Sequence, residues 1–457
     1  MKKISRRRFM QAAGAAAVVG MASTTGLSAG ACLDLFKPDA GYPQKAVIHS
    51  FDWGPAVTAT ILKLDDSIQA DSVRAEDFSV IENKEAFDWA AMSGAHTVVS
   101  APRQVTDAYA CTSGGSRTTL PTRYIRLEMR YDPNTGSPFC YDLFTGKNTW
   151  CSPYELEVSL SAQAALTSIW GKKVTALGAD PAIDFEDALI PELADFHLTG
   201  KMTGSDGRTL DFAYYTPILF PGRQVPLVIW LHGAGEGGED PRLALLGNKV
   251  APLAGKEFQD AMGGSAFVLV PQTPGFWLEY NEEGDWQDNP GTESVYTNTL
   301  TELINAFARE FPIDANRVLI GGCSNGGYMT MNMVLRYPNS FAAAFPICEA
   351  YKDSGITEEQ LASIKDLPLW FVYAKNDTVV NPEEYEIPTI ERLQAIGANV
   401  RTSVFDDVHD TSGLYFGEDG LPYQYQGHWS WIYFFNNECV DAATGESLWD
   451  WLGRQSK

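Results

Sequence analysis

Positive charge and histidine are both scarce in this chain. Thirty-four Lys and Arg stand against 58 Asp and Glu, with six His, for a formal net charge of −24. A surface this acidic repels polyanions and excludes nucleic acid and an anionic membrane surface as partners. There is no Cys-x-x-Cys pair, and the seven Cys with so few His match no zinc pattern. Beyond Cys32 no apolar run is long enough to span a bilayer, and no internal repeat or low-complexity tract occurs. What is present, 45% hydrophobic and 12% aromatic over 457 residues, suits a globular protein of two or three domains.

The chain opens with Ser5-Arg6-Arg7-Arg8-Phe9-Met10, followed by an Ala/Gly-rich apolar run from Ala12 to about Leu27. This pattern is that of a twin-arginine export signal over residues 1–31, and it predicts a periplasmic, cell-surface or extracellular protein. Ala29-Gly30-Ala31 offers the small-x-small cleavage pattern. Cys32 follows at once, so a lipid anchor there is the alternative to simple cleavage; Ala29 stands where a lipobox has Leu. The other Cys, at 111, 140, 151, 323, 348 and 439, are read as small apolar core residues, with the first three the best placed to pair.

Two styles of sequence divide the remainder. Ile125, Leu127, Met129 and Tyr131 alternate with polar residues, as do Tyr154, Leu156, Val158 and Leu160. Period-two alternation with turn-rich connections predicts half-buried strands, and hence a β-sandwich of immunoglobulin type over 40–180. A linker is expected from Gly178 to Pro191. After it come nearly all-apolar runs, Pro226–Leu231, Ala266–Val270, Arg317–Ile320 and Leu369–Tyr373, which read as parallel strands covered on both faces. Leu300, Leu303, Ile304, Phe307 and Phe311 recur at helical spacing between them. Residues 185–457 are therefore expected to form an α/β domain.

Gly322-Cys323-Ser324-Asn325-Gly326 fits Gly-x-Ser-x-Gly, directly after an apolar strand and before a helical run. A strand-to-helix turn of this kind lifts the serine hydroxyl out of the sheet and aims helical N–H groups at developing negative charge. Serine needs a base, and the order in such sites is Ser, acid, His. His428 is the candidate base, with His409 the alternative in an acidic run. Asp377, after the Leu369–Tyr373 strand, is the candidate acid, with Asp406 and Asp407 in reserve. The glycine-rich loop His232-Gly233-Ala234-Gly235-Glu236 suits an oxyanion site, the expected donors being the N–H of Asn325 and that of Ala234 or Gly233. His232 is expected to brace that loop.

These residues carry a resemblance. From about Phe196 onward, His232-Gly233-Ala234-Gly235-Glu236, Pro271-Gln272, Gly321-Gly322-Cys323-Ser324-Asn325-Gly326-Gly327 and Gly427-His428 resemble bacterial α/β-hydrolase esterases. The group joins esterases with a prolyl-oligopeptidase-like catalytic domain to feruloyl- and acetyl-ester hydrolases, and some of its members carry an N-terminal immunoglobulin-like domain, which the strand-rich first half resembles. The resemblance implies an α/β-hydrolase catalytic domain and carboxylic-ester hydrolysis by Ser324, Asp377 and His428, with no metal or organic cofactor. The implied partner is a small or medium ester, phenolic or acetylated. Trp277 is a candidate wall of the acyl pocket and equally a candidate packed core residue. The alternatives are a prolyl-oligopeptidase-like peptidase and a catalytically silent carbohydrate- or surface-binding protein. Acyl preference and oligomeric state are not written in these motifs.

Overall fold

The computed structural model describes residues 42–88, 90, 94–281 and 293–457. The expected export signal and Cys32 lie outside the described residues. The first unit is built from β1 (Tyr42–Phe51), β2 (Gly54–Ile68), β3 (Phe78–Phe87), β4 (His96–Arg103), β5 (Val105–Cys111), β6 (Thr122–Met129), β7 (Phe139–Asp142), β8 (Lys147–Trp150), β9 (Tyr154–Leu160) and β10 (Ala179–Ile183). The order β4-β3-β9-β10-β1-β2-β6-β5 makes β1 the hinge of the sandwich. Tyr42–Gln44 pair in parallel with β10, and Lys45–Phe51 pair antiparallel with β2. One strand thus serves both layers, and Ile48, Leu62, Ile125 and Leu127 from one layer pack on Val80, Tyr154 and Leu156 from the other. The segment read as a linker from Gly178 carries β10, because its backbone fills the gap between β1 and β9. The sandwich sheet therefore runs to Ile183. β7 and β8 form a separate hairpin.

The second unit holds β11 (Phe196–Thr203), β12 (Thr209–Tyr215), β13 (Val225–Leu231), β14 (Phe267–Gln272), β15 (Ile313–Cys323), β16 (Ala343–Ile347), β17 (Leu369–Ala374) and β18 (Val400–Phe405). Its helices are α1 (Pro241–Gly247), α2 (Lys256–Ala261), α3 (Thr297–Glu310), α4 (Asn325–Arg336), α5 (Glu358–Ser363), α6 (Glu386–Ala395), α7 (Trp431–Phe435) and α8 (Leu448–Arg454). The strands assemble as β11-β12-β14-β13-β15-β16-β17-β18, antiparallel at β11-β12-β14 and parallel from β14 to β18. β13 shows why its sequence has no alternation. Leu227, Ile229 and Leu231 enter the core under α3, α4, α5 and α6, while Val228 and Trp230 enter the core under α1, α7 and α8. Both faces are covered, so every residue of β13 is buried. The six described cysteines are all buried free thiols.

The two units are tied at several points. Trp150 Nε1 donates to Asp240 Oδ2 at 2.7 Å, Lys249 Nζ to Asp52 Oδ1 at 2.7 Å, and Tyr423 Oη to Asn134 Oδ1 at 3.1 Å. Inside the sandwich, the Arg103 guanidinium pairs with the Glu82 carboxylate, and Tyr154 Oη donates to that carboxylate. Arg103 Nη2 also donates to the carbonyls of Val57 and Arg130 at 2.8 and 3.0 Å. All three side chains are buried, so removing the cation strands an anion in a dry interior. Arg103→Leu should cost the protein about 3–5 kcal/mol in denaturant unfolding, and Arg103→Leu/Glu82→Leu should recover much of that loss.

Candidate active site

Ser324 sits between the last residue of β15 and the first of α4, at φ 54° and ψ −115°. A side chain in this left-handed region is strained by roughly 1–3 kcal/mol and persists only where its surroundings fix it. Two glycines make the turn possible. A Cβ on Gly322 would lie 2.4 Å from the Leu231 carbonyl oxygen, and one on Gly326 only 1.9 Å from it. Backbone hydrogen bonds then lock the turn: Ser324 N–H donates to Ile347 O at 2.9 Å, and Ser324 O accepts from Tyr328 N–H at 2.8 Å.

His428 and Asp377 come together from loops after β18 and β17, 51 positions apart, with His428 Nδ1 2.6 Å from Asp377 Oδ2. The other carboxylate oxygen, Oδ1, accepts the N–H groups of Val379 and Val380 at 2.7 and 2.9 Å. That turn fixes the carboxylate before it meets the ring. His428 N–H donates to Gln426 Oε1 at 2.6 Å, which holds the base loop in turn. Ser324, Asn325 and His428 all line one cavity of about 780 Å³, also walled by Gly233, Ala234, Phe276, Leu278, Trp429 and Trp431. The reserve residues lie elsewhere. His409 Nδ1 is held by Asp407, and Asp406 is an exposed partner of Lys375.

The loop after β13 carries the expected oxyanion donors. Gly233 N–H is directed at Asn248 Oδ1, 3.5 Å away, and at the Glu236 carboxyl, while Ala234, the other expected donor, lines the cavity beside it. His232 is completely buried; burial pulls its pKa down to about 4. Its neutral ring accepts the Thr273 N–H at Nε2 (3.1 Å), so Nδ1–H donates to Gly233 O (2.6 Å). It braces the loop. Glu236, at the loop's end, is buried, and desolvation pushes its carboxyl up to about 7. Of the two readings its sequence allowed, Trp277 takes the packed-core one and is absent from the residues that line the cavity. Its ring is wholly buried beside His232 and Tyr296, while its neighbours Phe276 and Leu278 face the cavity. The reason is a backbone tie, Trp277 N–H to Asn325 Oδ1 at 2.6 Å, that turns this residue inward. Trp429 and Trp431, which follow His428 closely in sequence, also line the cavity, and their proximity to the candidate base is the local signal that marks them. The contributions of Tyr141 and Asn148 from the sandwich hairpin carry no local signal at all.

With this geometry described, comparison with known proteins adds the family. Residues 44–175 match the esterase immunoglobulin-like N-terminal domain, and residues 221–415 match the phospholipase/carboxylesterase family. The chain belongs to the esterases that set an immunoglobulin-like domain before an α/β-hydrolase domain. A crystal structure of a thermostable esterase is similar over 91% of this esterase and 99% of its own chain, with a TM-score of 0.68 at 25% identity. A bifunctional acetylxylan esterase/xylanase of Neocallimastix patriciarum is 27% identical over 161 residues, 35% of this chain. The match spans 20% of that relative's length.

A second group of carboxyls lies behind the nucleophile turn. Glu349 and Glu386 are wholly buried, and desolvation holds both pKa values well above the ordinary carboxylate range. Glu386 is pushed further by the charges of Glu349 and Asp377. The folded chain keeps these protons where the unfolded chain releases them. Their stabilisation is thus complete below the ordinary carboxylate pKa and is lost as pH climbs towards the folded value, by up to about 1.4 kcal/mol per pH unit for each group. Glu386→Gln should match the wild type in thermal melts at pH 4 and gain on it progressively from pH 5 to pH 8.

Proposed function

We propose that this esterase hydrolyses carboxylic esters through a covalent acyl-enzyme on Ser324. The observation that carries the reading is the buried Asp377–His428 hydrogen bond opening onto the cavity that Ser324 also lines. Asp377, fixed by two backbone N–H groups, keeps the proton of the imidazole on Nδ1 and leaves Nε2 free as a base. Ser324 Oγ attacks the ester carbonyl carbon as His428 Nε2 takes its proton. The tetrahedral oxyanion is held by the N–H groups of Asn325 and Ala234. His428 returns the proton to the departing alkoxide, and the alcohol leaves. Water then attacks the acyl-enzyme with His428 as base, releasing the acid and restoring the serine.

The cavity is roomier than an acetyl group needs and is edged by Phe276, Trp429 and Trp431. Flat apolar walls suit a phenolic acyl group or a sugar-borne acetyl ester, and the acetylxylan esterase likeness supports the second. The twin-arginine pattern at the start of the chain supports export, with the substrate met outside the cytoplasm.

Purified protein should turn over p-nitrophenyl acetate and butyrate, methyl ferulate or acetylated xylan, and leave a prolyl p-nitroanilide intact. Ser324→Ala and His428→Ala should each lower kcat by at least about a thousandfold, with the melting temperature unchanged in Ser324→Ala and lowered in His428→Ala, which leaves the buried Asp377 carboxylate without its ring partner. Turnover of the anilide alone would indicate a peptidase, and no turnover of any substrate a binding protein. Undiminished ester hydrolysis by Ser324→Ala would overturn the nucleophile.

A further inference from the structure

We propose that the β7–β8 hairpin of the immunoglobulin-like domain is a working part of the active site, with Asn148 and Glu236 as positioning residues that hold the oxyanion loop from behind. The inference rests on the proposed serine mechanism and adds to it a role for a domain with no group in the reaction itself.

The hairpin leaves the sandwich sheets and reaches across to the loop after β13. Asn148 Nδ2 lies 3.5 Å from Glu236 Oε1. On one side of this contact Lys147 Nζ donates to the Pro274 carbonyl at 3.1 Å; on the other, Trp150 Nε1 donates to Asp240 Oδ2 at 2.7 Å. The ring of Trp150 also stacks on Phe185, with centroids 4.7 Å apart, so the hairpin end is rigidly seated. The loop is pressed against it. A Cβ on Gly235 would lie 2.9 Å from Asn148 Nδ2 and 4.0 Å from the Tyr141 ring, so the loop backbone runs directly against the hairpin's side chains.

Glu236 carries that support to the donor itself. Its Oε2 would be 2.9 Å from a Cβ on Gly233, one residue before Ala234. Its side chain is packed so closely on α1 that a Cβ on Gly247 would come within 2.6 Å of its Cγ. Gln272 Nε2 donates to its backbone carbonyl at 2.9 Å. The carboxyl is therefore enclosed by the oxyanion loop, α1, β14 and the hairpin. Burial is the largest influence on it and favours the neutral form; the Asn248 side chain, the N–H groups of Glu236 and Gly233, and last the Asn148 side chain donate to it and favour the anion, so the carboxyl ties the hairpin directly to the backbone of the oxyanion loop. A buried acceptor left short of donors costs about 1–3 kcal/mol, enough to displace a short glycine loop. Oxyanion stabilisation depends on sub-ångström placement of its donors, so such a displacement falls on kcat.

The test uses the full-length chain, p-nitrophenyl butyrate and four variants: Asn148→Ala, the isosteric Asn148→Asp, Glu236→Gln, and Glu236→Gln/Asn148→Ala. If the hairpin positions the loop, Asn148→Ala lowers kcat about tenfold with KM within about twofold, less than the hundredfold cost of losing a donor outright. Asn148→Asp keeps the shape but removes the amide donors, and it sets one carboxylate against another wherever Glu236 is ionised, so its kcat falls at least as far and falls further as pH rises through 7. In the Glu236→Gln background, Asn148→Ala adds little, because the path through Glu236 is already cut. Wild-type kcat in both single Asn148 variants, with a lowered melting temperature, would overturn the inference and leave the hairpin as a strut between domains. Losses that simply multiply in the double variant would overturn the path through Glu236. Failure of the serine reading is read separately, from undiminished turnover by Ser324→Ala.

Discussion

The backbone at Ser324 is held where an L-residue is strained, and much of the hydrolase domain is arranged to keep it there. β15 must stop at Cys323 and the next helix, α4, must start at Asn325, so Ser324 alone makes the turn and no further residue is there to relax it. The Leu231 carbonyl closes on this turn so tightly that only glycine fits at 322 and 326. This in turn fixes β13 beside β15 and sets the loop after Leu231 against the helix N-terminus. The strain is balanced by the sheet's buried apolar runs, whose faces are covered by two separate cores.

Polar groups around the turn are satisfied locally and by neutralisation more than by ion pairing. His232 is kept neutral and spends both ring nitrogens on backbone partners. Glu349 and Glu386 are pushed towards the protonated form by desolvation, close behind Ser324. On the proposed chemistry this leaves Asp377 as the carboxylate set against the base, with its second oxygen taken up by backbone N–H groups. A chain with net charge −24 thus keeps several of its buried acids from adding negative charge beside the oxyanion.

The two domains are not beads on a string. The sandwich supplies Tyr141 and Asn148 to the cavity wall, and its hairpin is seated by Trp150 on Asp240 and Phe185. The cavity is bounded on one side by loops after parallel strands and on the other by an antiparallel hairpin. The cavity wall is therefore shared between two folds.

Much of this was legible beforehand, and the reason is local. The all-apolar runs became β13, β14, β15 and β17, and the alternating ones β6 and β9, because strand burial imposes its period directly on the sequence. Gly-x-Ser-x-Gly could be read because a tight turn restricts residue types within five positions. What only the tertiary structure decided depends on distance in the chain. The strand at Ala179–Ile183 exists because β1 and β9 leave a place for it, which nothing in its own residues announces. Trp277 turns inward through a hydrogen bond to a residue 48 positions away, while Phe276 and Leu278 take the cavity wall. The meeting of Asn148 with Glu236 spans 88 positions and two domains. The sequence by itself determined the elements and named the chemistry-bearing residues, since both rest on short-range constraints. The pairing of those residues across loops and domains was settled by packing alone.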